Sequence, residues 1–161
     1  MAENITVNME NLTDEEREQL LALIKKSNEP ACGIWEPKKD DEYWFIDRDG
    51  YILSSRWGWS STEENRFNIG NCFRTEEEAE FEIERIKIIH ELKELAGGYK
   101  WEYDSYNYYI YFDCYNYKIK IGYVSRVKNT YIYFPTEEAA EKAIDTIGEE
   151  RLKKYYFGIK E

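Results

Sequence analysis

The chain carries a single imidazole, His90, set between Ile89 and Glu91. A lone helical histidine is far more often a structural or surface residue than a general base. No G-x-S-x-G elbow, Walker A loop, H-E-x-x-H pair or G-x-G-x-x-G turn occurs, so the usual frames for nucleophilic, phosphate-binding and zinc chemistry are missing. Gly97-Gly98 closes a helical pattern and does not open one. Asp47-Arg-Asp49-Gly50 contains a D-x-D-G fragment, but position 58, where a calcium loop needs Glu, is Gly. A hairpin turn accounts for these four residues. The expectation is a protein that is not an enzyme, with no catalytic residue, metal ligand or cofactor.

Two sets of residues suit binding. The first is Trp57 and Trp59, in the run Arg56-Trp-Gly-Trp59, with Arg66 beyond it. Trp and Arg dominate protein-binding hot spots, and the same groups can stack on a nucleic-acid base. The alternative is that both indoles cover the end of the core. The second set is acidic: Glu76, Glu77, Glu78, Glu80, Glu82 and Glu84, echoed by Glu137, Glu138 and Glu141. The helix dipole explains Glu76 to Glu78 in the first turn, but explains Glu80, Glu82 and Glu84 less well. Carboxylates one turn apart stand about 5–6 Å from each other, on the scale of backbone phosphates. Glu77, Glu80 and Glu84 could therefore present a face resembling DNA, against the plainer reading of a solvated helix.

Charge and cysteine usage narrow the partners. With 33 acidic and 22 basic residues the formal charge is −11, which disfavours non-specific attraction to nucleic acid or anionic membrane. Cys32, Cys72 and Cys114 lie about 40 positions apart with no C-x-x-C. That fits neither a disulfide framework nor a zinc site, and each is expected to be a small buried apolar residue. The start, Met1-Ala2-Glu3-Asn4, lacks the basic and apolar regions of a signal peptide. A cytoplasmic protein without a membrane span is expected.

The elements that must position these residues follow from local signals. After a loose tail over the first eight residues, Thr13 to Glu16 reads as a capping box. Leu20, Leu21, Leu23 and Ile24 have helical spacing and Pro30 ends the pattern, so a helix is expected from Asp14 to Ser27. Strands are expected from Glu42 to Ile46 and Tyr51 to Leu53, around an Asp-Gly turn, with a third near Phe67–Phe73. Thr75 caps a helix from Glu76 to about Ala96. Strands then recur at Tyr108–Asp113, Lys118–Val124 and Thr130–Phe134, followed by a helix from Glu137 to Ile147 stopped by Gly148.

This order repeats. Phe73-Arg-Thr-Glu-Glu-Glu-Ala79 matches Phe134-Pro-Thr-Glu-Glu-Ala-Ala140 at an offset of 61, with Ile83 meeting Ile144 and Ile86 meeting Ile147. Tyr43–Asp47 matches Tyr109–Asp113 at an offset of 66. The fold class expected is α+β: an N-terminal tail and helix (1–30), then two tandem β-β-β-α repeats (31–98 and 99–161) packed as one unit. The middle helix has two apolar stripes, one with Ala79, Ile83, Ile86 and Ala96, the other with Phe81, Ile88, Leu92 and Leu95. Two stripes require burial on two sides, between the modules or in a dimer.

Trp35-x-Pro37, Tyr43-Trp-x-Ile46, Asp49-Gly50, Arg66, Gly70-Asn71-x-Phe73-x-Thr75-x-Glu77-Glu78-Ala79 and Ile147-Gly-Glu-x-Arg151-x-x-Lys154-Tyr-Tyr-x-Gly158 resemble a group of small acidic phage and prophage proteins of Gram-positive bacteria. The resemblance runs from about residue 34 to the end and carries over no catalytic residue. By analogy it implies an anti-defence protein, of the anti-CRISPR kind. The N-terminal helix lies outside the shared motifs, where it would tune partner choice. The function expected is a non-enzymatic inhibitor that binds a host nuclease or CRISPR effector through its basic, nucleic-acid-binding surface, by acidic mimicry. The alternative is a nucleotide or single-stranded nucleic-acid module that stacks bases on the Trp57, Trp59 and Arg66 loop.

Overall fold

A computed structural model describes residues 12–27 and 35–159. The chain divides into two compact units, Met1–Lys38 and Lys39–Glu161. In the first, helix α1 spans Asp14–Ser27. Its start is the expected box: Thr13 N–H and its hydroxyl donate to Glu16 Oε2 at 2.9 Å, and Glu16 N–H donates back to Thr13 Oγ1 at 3.3 Å. Leu21, expected in the apolar stripe, is exposed. The tail, Pro30, Cys32 and the side chains of Leu23 and Ile24 lie outside the described residues.

The second unit opens with an antiparallel hairpin, β1 (Glu42–Ile46) and β2 (Ile52–Arg56), paired from Glu42↔Arg56 to Ile46↔Ile52. Its turn is built by Asp47, whose Oδ1 accepts from the amides of Asp49 and Tyr51 at 2.9 and 2.8 Å. Gly50 sits at φ 85°, where a side chain would strain the turn. The third strand expected near Phe67–Phe73 is not there. Ser61–Asn68 is a helix, α2, because Ser60 and Glu63 form a capping box that starts it. Phe73 makes one isolated rung with Trp44, N–H to O at 2.8 and 2.9 Å. A second rung comes from a side chain: Asn71 Oδ1 accepts from Ile46 N–H at 2.8 Å and its Nδ2 donates to Ile46 O at 2.7 Å.

Helix α3 (Glu76–Leu95) follows, with Thr75 Oγ1 accepting from Glu78 N–H. It ends on Gly97 and Gly98 at φ 62° and 70°, the left-handed residues expected there. A three-stranded antiparallel sheet of order β4-β3-β5 comes next, from β3 (Asn107–Asp113), β4 (Lys118–Val124) and β5 (Tyr133–Phe134). The expected Thr130 to Phe134 strand shrinks to two residues because Tyr133 folds the chain before it. Its hydroxyl accepts from Asn129 N–H at 2.7 Å and donates to Asn129 O at 3.3 Å. Helix α4 (Glu137–Ile147) is capped by Thr136 and stops at Gly148, φ 90°. A short helix α5 (Glu149–Arg151) runs into a π-helical turn, Leu152–Tyr156, closed by Phe157 N–H on Leu152 O.

The molecule is thus a mixture of helix and sheet, but its two halves differ. One has two strands and an extra helix, the other three strands. The core joins Ile88, Leu92 and Ala96 of α3 to Ile110, Phe134, Ala140, Ala143, Ile147 and Leu152. Helix α3 meets β1 and β2 as well as α4 and the π-helical turn, which explains its two stripes. Ile86 breaks the sequence match: it is 49% exposed, whereas Ile147 is 4% exposed. Among the described residues no helix is long and apolar enough to cross a membrane.

Candidate functional site

The β2–α2 connection places the tryptophans. The backbone of Trp57 is clamped on both sides, its N–H donating to Asp41 O at 2.8 Å and its carbonyl accepting from Asp40 N–H at 2.9 Å. The indole points inward, 2% exposed, edge-on to Tyr43 at 5.5 Å and to Phe67 at 6.2 Å. Among the described residues its Nε1–H has no hydrogen-bond partner, so packing holds the ring. Trp59 does the opposite. It is 53% exposed, rests edge-on against Trp57 at 5.6 Å, and has a φ of 61°. A left-handed conformation at a non-glycine residue is sparsely populated and persists only where the surroundings enforce it.

Glu63 enforces it here. Its Oε2 accepts from Gly58 N–H at 2.9 Å and from Ser60 N–H at 2.8 Å, gripping the backbone on either side of Trp59. The side chain is buried. Its carboxyl is held below the usual value, first by the Ser60 amide, with Gly58, the Ser60 hydroxyl and the Arg66 charge acting the same way and burial opposing them. Glu63 was not singled out in the sequence, although Ser60-Ser-Thr-Glu63 has the S-x-x-E spacing that marks a helix start.

Arg66 stands apart from the exposed indole. Its Nη1 donates to Tyr43 Oη at 2.8 Å and its guanidinium lies 3.5 Å from the centre of the Phe45 ring. It braces β1 from α2. The structure thus brings Trp57 and Trp59 together, ties Arg66 to the inner aromatics, and leaves Trp59 as the one member of the trio that is exposed.

The acidic set splits too. Glu76, Glu77, Glu78 and Glu80 are exposed on the first turns of α3, with Glu78 Oε2 accepting from Arg74 N–H at 2.8 Å. Farther along, the acids are neutralised. Glu82 receives Arg85 in two hydrogen bonds of 2.8 and 2.6 Å. Glu84 pairs with Lys87 at 2.6 Å and with Arg151 at 3.5 Å. The Lys87 hydrogen bond is the largest cause of the lowered Glu84 carboxyl pKa. Glu77 and Glu80 are exposed, while the half-buried Glu84 belongs to an ion-pair network.

The remaining candidates for reactivity are quiet. Burial pushes the Cys72 thiol up to about 11, so it is not a thiolate near neutrality. Cys114, expected inside, is exposed in the β3–β4 turn, where Asp113 accepts from the Tyr115 amide and from Asn116 and leaves the cysteine outside. His90 is exposed. Among the described residues no group of three or more His, Cys, Asp or Glu is placed to hold a metal ion. No family model, no curated protein and no solved structure matches the chain.

Proposed function

We propose that the chain is a non-enzymatic, phage-encoded inhibitor that binds a host defence protein, a nuclease or CRISPR effector, with Trp59 as the anchor of the contact. The observation that carries this reading is the way Trp59 is held. A half-exposed indole sits on a strained backbone position, backed by Trp57 and fixed from behind by the Glu63 carboxylate. An aromatic anchor ordered before binding loses little freedom on association, and such anchors supply most of the energy of an interface.

The exposed acids at the start of α3 support a basic partner, where they would speed and orient encounter more than they would tighten the complex. The resemblance to phage proteins supplies the class of partner. Base stacking on the same loop has less support, because Trp57 faces inward and Arg66 is committed to Tyr43 and Phe45.

The test is titration against purified host nucleases and effectors, with circular dichroism on each variant. Trp59→Ala should weaken binding by about 2 kcal/mol or more. E77K/E80K should slow association and reduce its salt dependence, since exposed charges are screened over about 10 Å at 0.1 M. Loss in E77K/E80K with none in Trp59→Ala would move the site to the acidic face. Absence of binding to any such protein would overturn the reading.

A further inference from the structure

A cleft of about 550 Å³ opens where the end of α3 meets the segment before β5. Its charged lining residues are Lys93, Lys100 and Lys128, and among the described residues no carboxylate lines it. That is a local inversion in a chain of net charge −11. Several lysines elsewhere are paired, Lys87 with Glu84, Lys120 with Asp113 and Lys153 with Glu149. The ammonium groups of Lys93, Lys100 and Lys128 have no such partner among the described residues. The helix dipole explains Lys93 in the last turn of α3. It does not explain Lys100 or Lys128, which lie beyond the helix.

The same walls are aromatic. Trp101 lines the cleft, and its Nε1–H is buried without an acceptor among the described residues, an unspent donor of the kind that calls for an explanation in a folded protein. Tyr131 stacks on Tyr109 with ring centres 4.3 Å apart and planes 3° from parallel. It remains 42% exposed, so part of a backed ring is accessible. The loop that carries Lys100 and Trp101 is fixed by Asn107, fully buried, which accepts from Glu102 N–H at 2.7 Å and donates to Glu102 O at 2.8 Å and Ser105 O at 2.8 Å. That wall of the cleft is therefore held in place.

We propose that this cleft binds a nucleoside phosphate, free or at the end of an oligonucleotide. The three lysines take the phosphate oxygens, and the base lies against Trp101 or the exposed part of Tyr131. The volume falls within the usual range of small-ligand pockets, about 300–1,000 Å³. The charge of the whole chain does not oppose this, because at about 0.15 M salt its field is screened within about 8 Å. The inference is independent of the Trp59 reading, which concerns another loop and a protein partner.

Calorimetric titration of the full chain with ATP, with hexathymidylate and with tripolyphosphate tests it. ATP or hexathymidylate should bind saturably, and the tighter of the two identifies the source of the nucleotide. K100E/K128E should weaken that binding by about ten- to a hundredfold, the loss of charge-assisted hydrogen bonds. Binding should also weaken as salt rises from about 50 to about 200 mM. Trp59→Ala should leave it unchanged. K100Q/K128Q replaces the charge-reversed variant if that one loses its circular dichroism signal. The proposal is overturned if neither nucleotide binds, if the lysine variants bind as wild type, if Trp59→Ala abolishes binding, or if tripolyphosphate binds as well as ATP.

Discussion

Asn71 holds Ile46 as a neighbouring strand would: its side-chain amide accepts from the Ile46 N–H and donates to the Ile46 carbonyl, at 2.8 and 2.7 Å. With the single backbone rung between Trp44 and Phe73, this satisfies the outer edge of β1 without a third strand. Asn71→Leu, which keeps the volume and removes both bonds, leaves two half-buried backbone groups unpaired. A loss of about 2 kcal/mol is expected in denaturant unfolding. No loss would mean that water satisfies this edge.

Thr75 and Thr136 each cap a helix by accepting an amide hydrogen bond, at 3.3 and 3.2 Å. Changing either to Ala should cost about 1 kcal/mol. Shifts in the denaturant midpoints of the two single variants are the measurement.

Asn107 should matter far more. Its side chain makes five hydrogen bonds, to Tyr99, Glu102 (twice), Ser105 and Val124. Asn107→Ala strands several of those groups in the interior and should cost about 3 kcal/mol or more. Faster hydrogen exchange at the Glu102 amide would accompany the loss, because that N–H points at Asn107.

Gly122 supplies room for a ring. A Cβ there would stand 3.0 Å from the Tyr109 ring atoms, and any retreat of Tyr109 would have to displace Tyr131, which is stacked on it. Gly122→Val should therefore destabilise by about 1–3 kcal/mol. Its near-ultraviolet circular dichroism should change as the tyrosine stack is displaced.

Glu63 gives a pH dependence with a definite sign. Its carboxyl titrates below the ordinary 4.5 in the folded chain, so it contributes stability above that value and loses it as pH falls through the folded pKa. Glu63→Gln keeps an acceptor for the Gly58 and Ser60 amides but not the charge. The stability difference between wild type and this variant should be constant near neutrality and shrink below about pH 4.5. A difference independent of pH would show that the charge of Glu63 is irrelevant.

What could be read in advance was local. The Thr13, Thr75 and Thr136 caps, the Asp47–Gly50 turn and the glycine stops at 97 and 148 are decided by residues within a few positions of one another, and the structure has them. Helix α2 was hidden because Phe67, Ile69 and Cys72 resemble a strand, while the cap that decides the matter is the buried Glu63 side chain. The opposed orientations of Trp57 and Trp59 depend on Glu63 and on Asp40 and Asp41 across the hairpin. The lysine cleft was invisible for a different reason. Lys93, Lys100 and Lys128 are scattered along the chain and converge only once α3 and the segment before β5 are in place.

Helix α3 has one further effect, on cooperativity. It supplies Ile88, Leu92 and Ala96 to the core of the second half while also meeting β1 and β2 of the first. The later sheet also packs on α4, but its core is incomplete without these three side chains, so a cut after Gly98 would open that core and leave the earlier fragment with a bare apolar stripe. The two halves should melt in a single transition. A binding event at either end would then be felt at the other as resistance to unfolding, with no change in shape required.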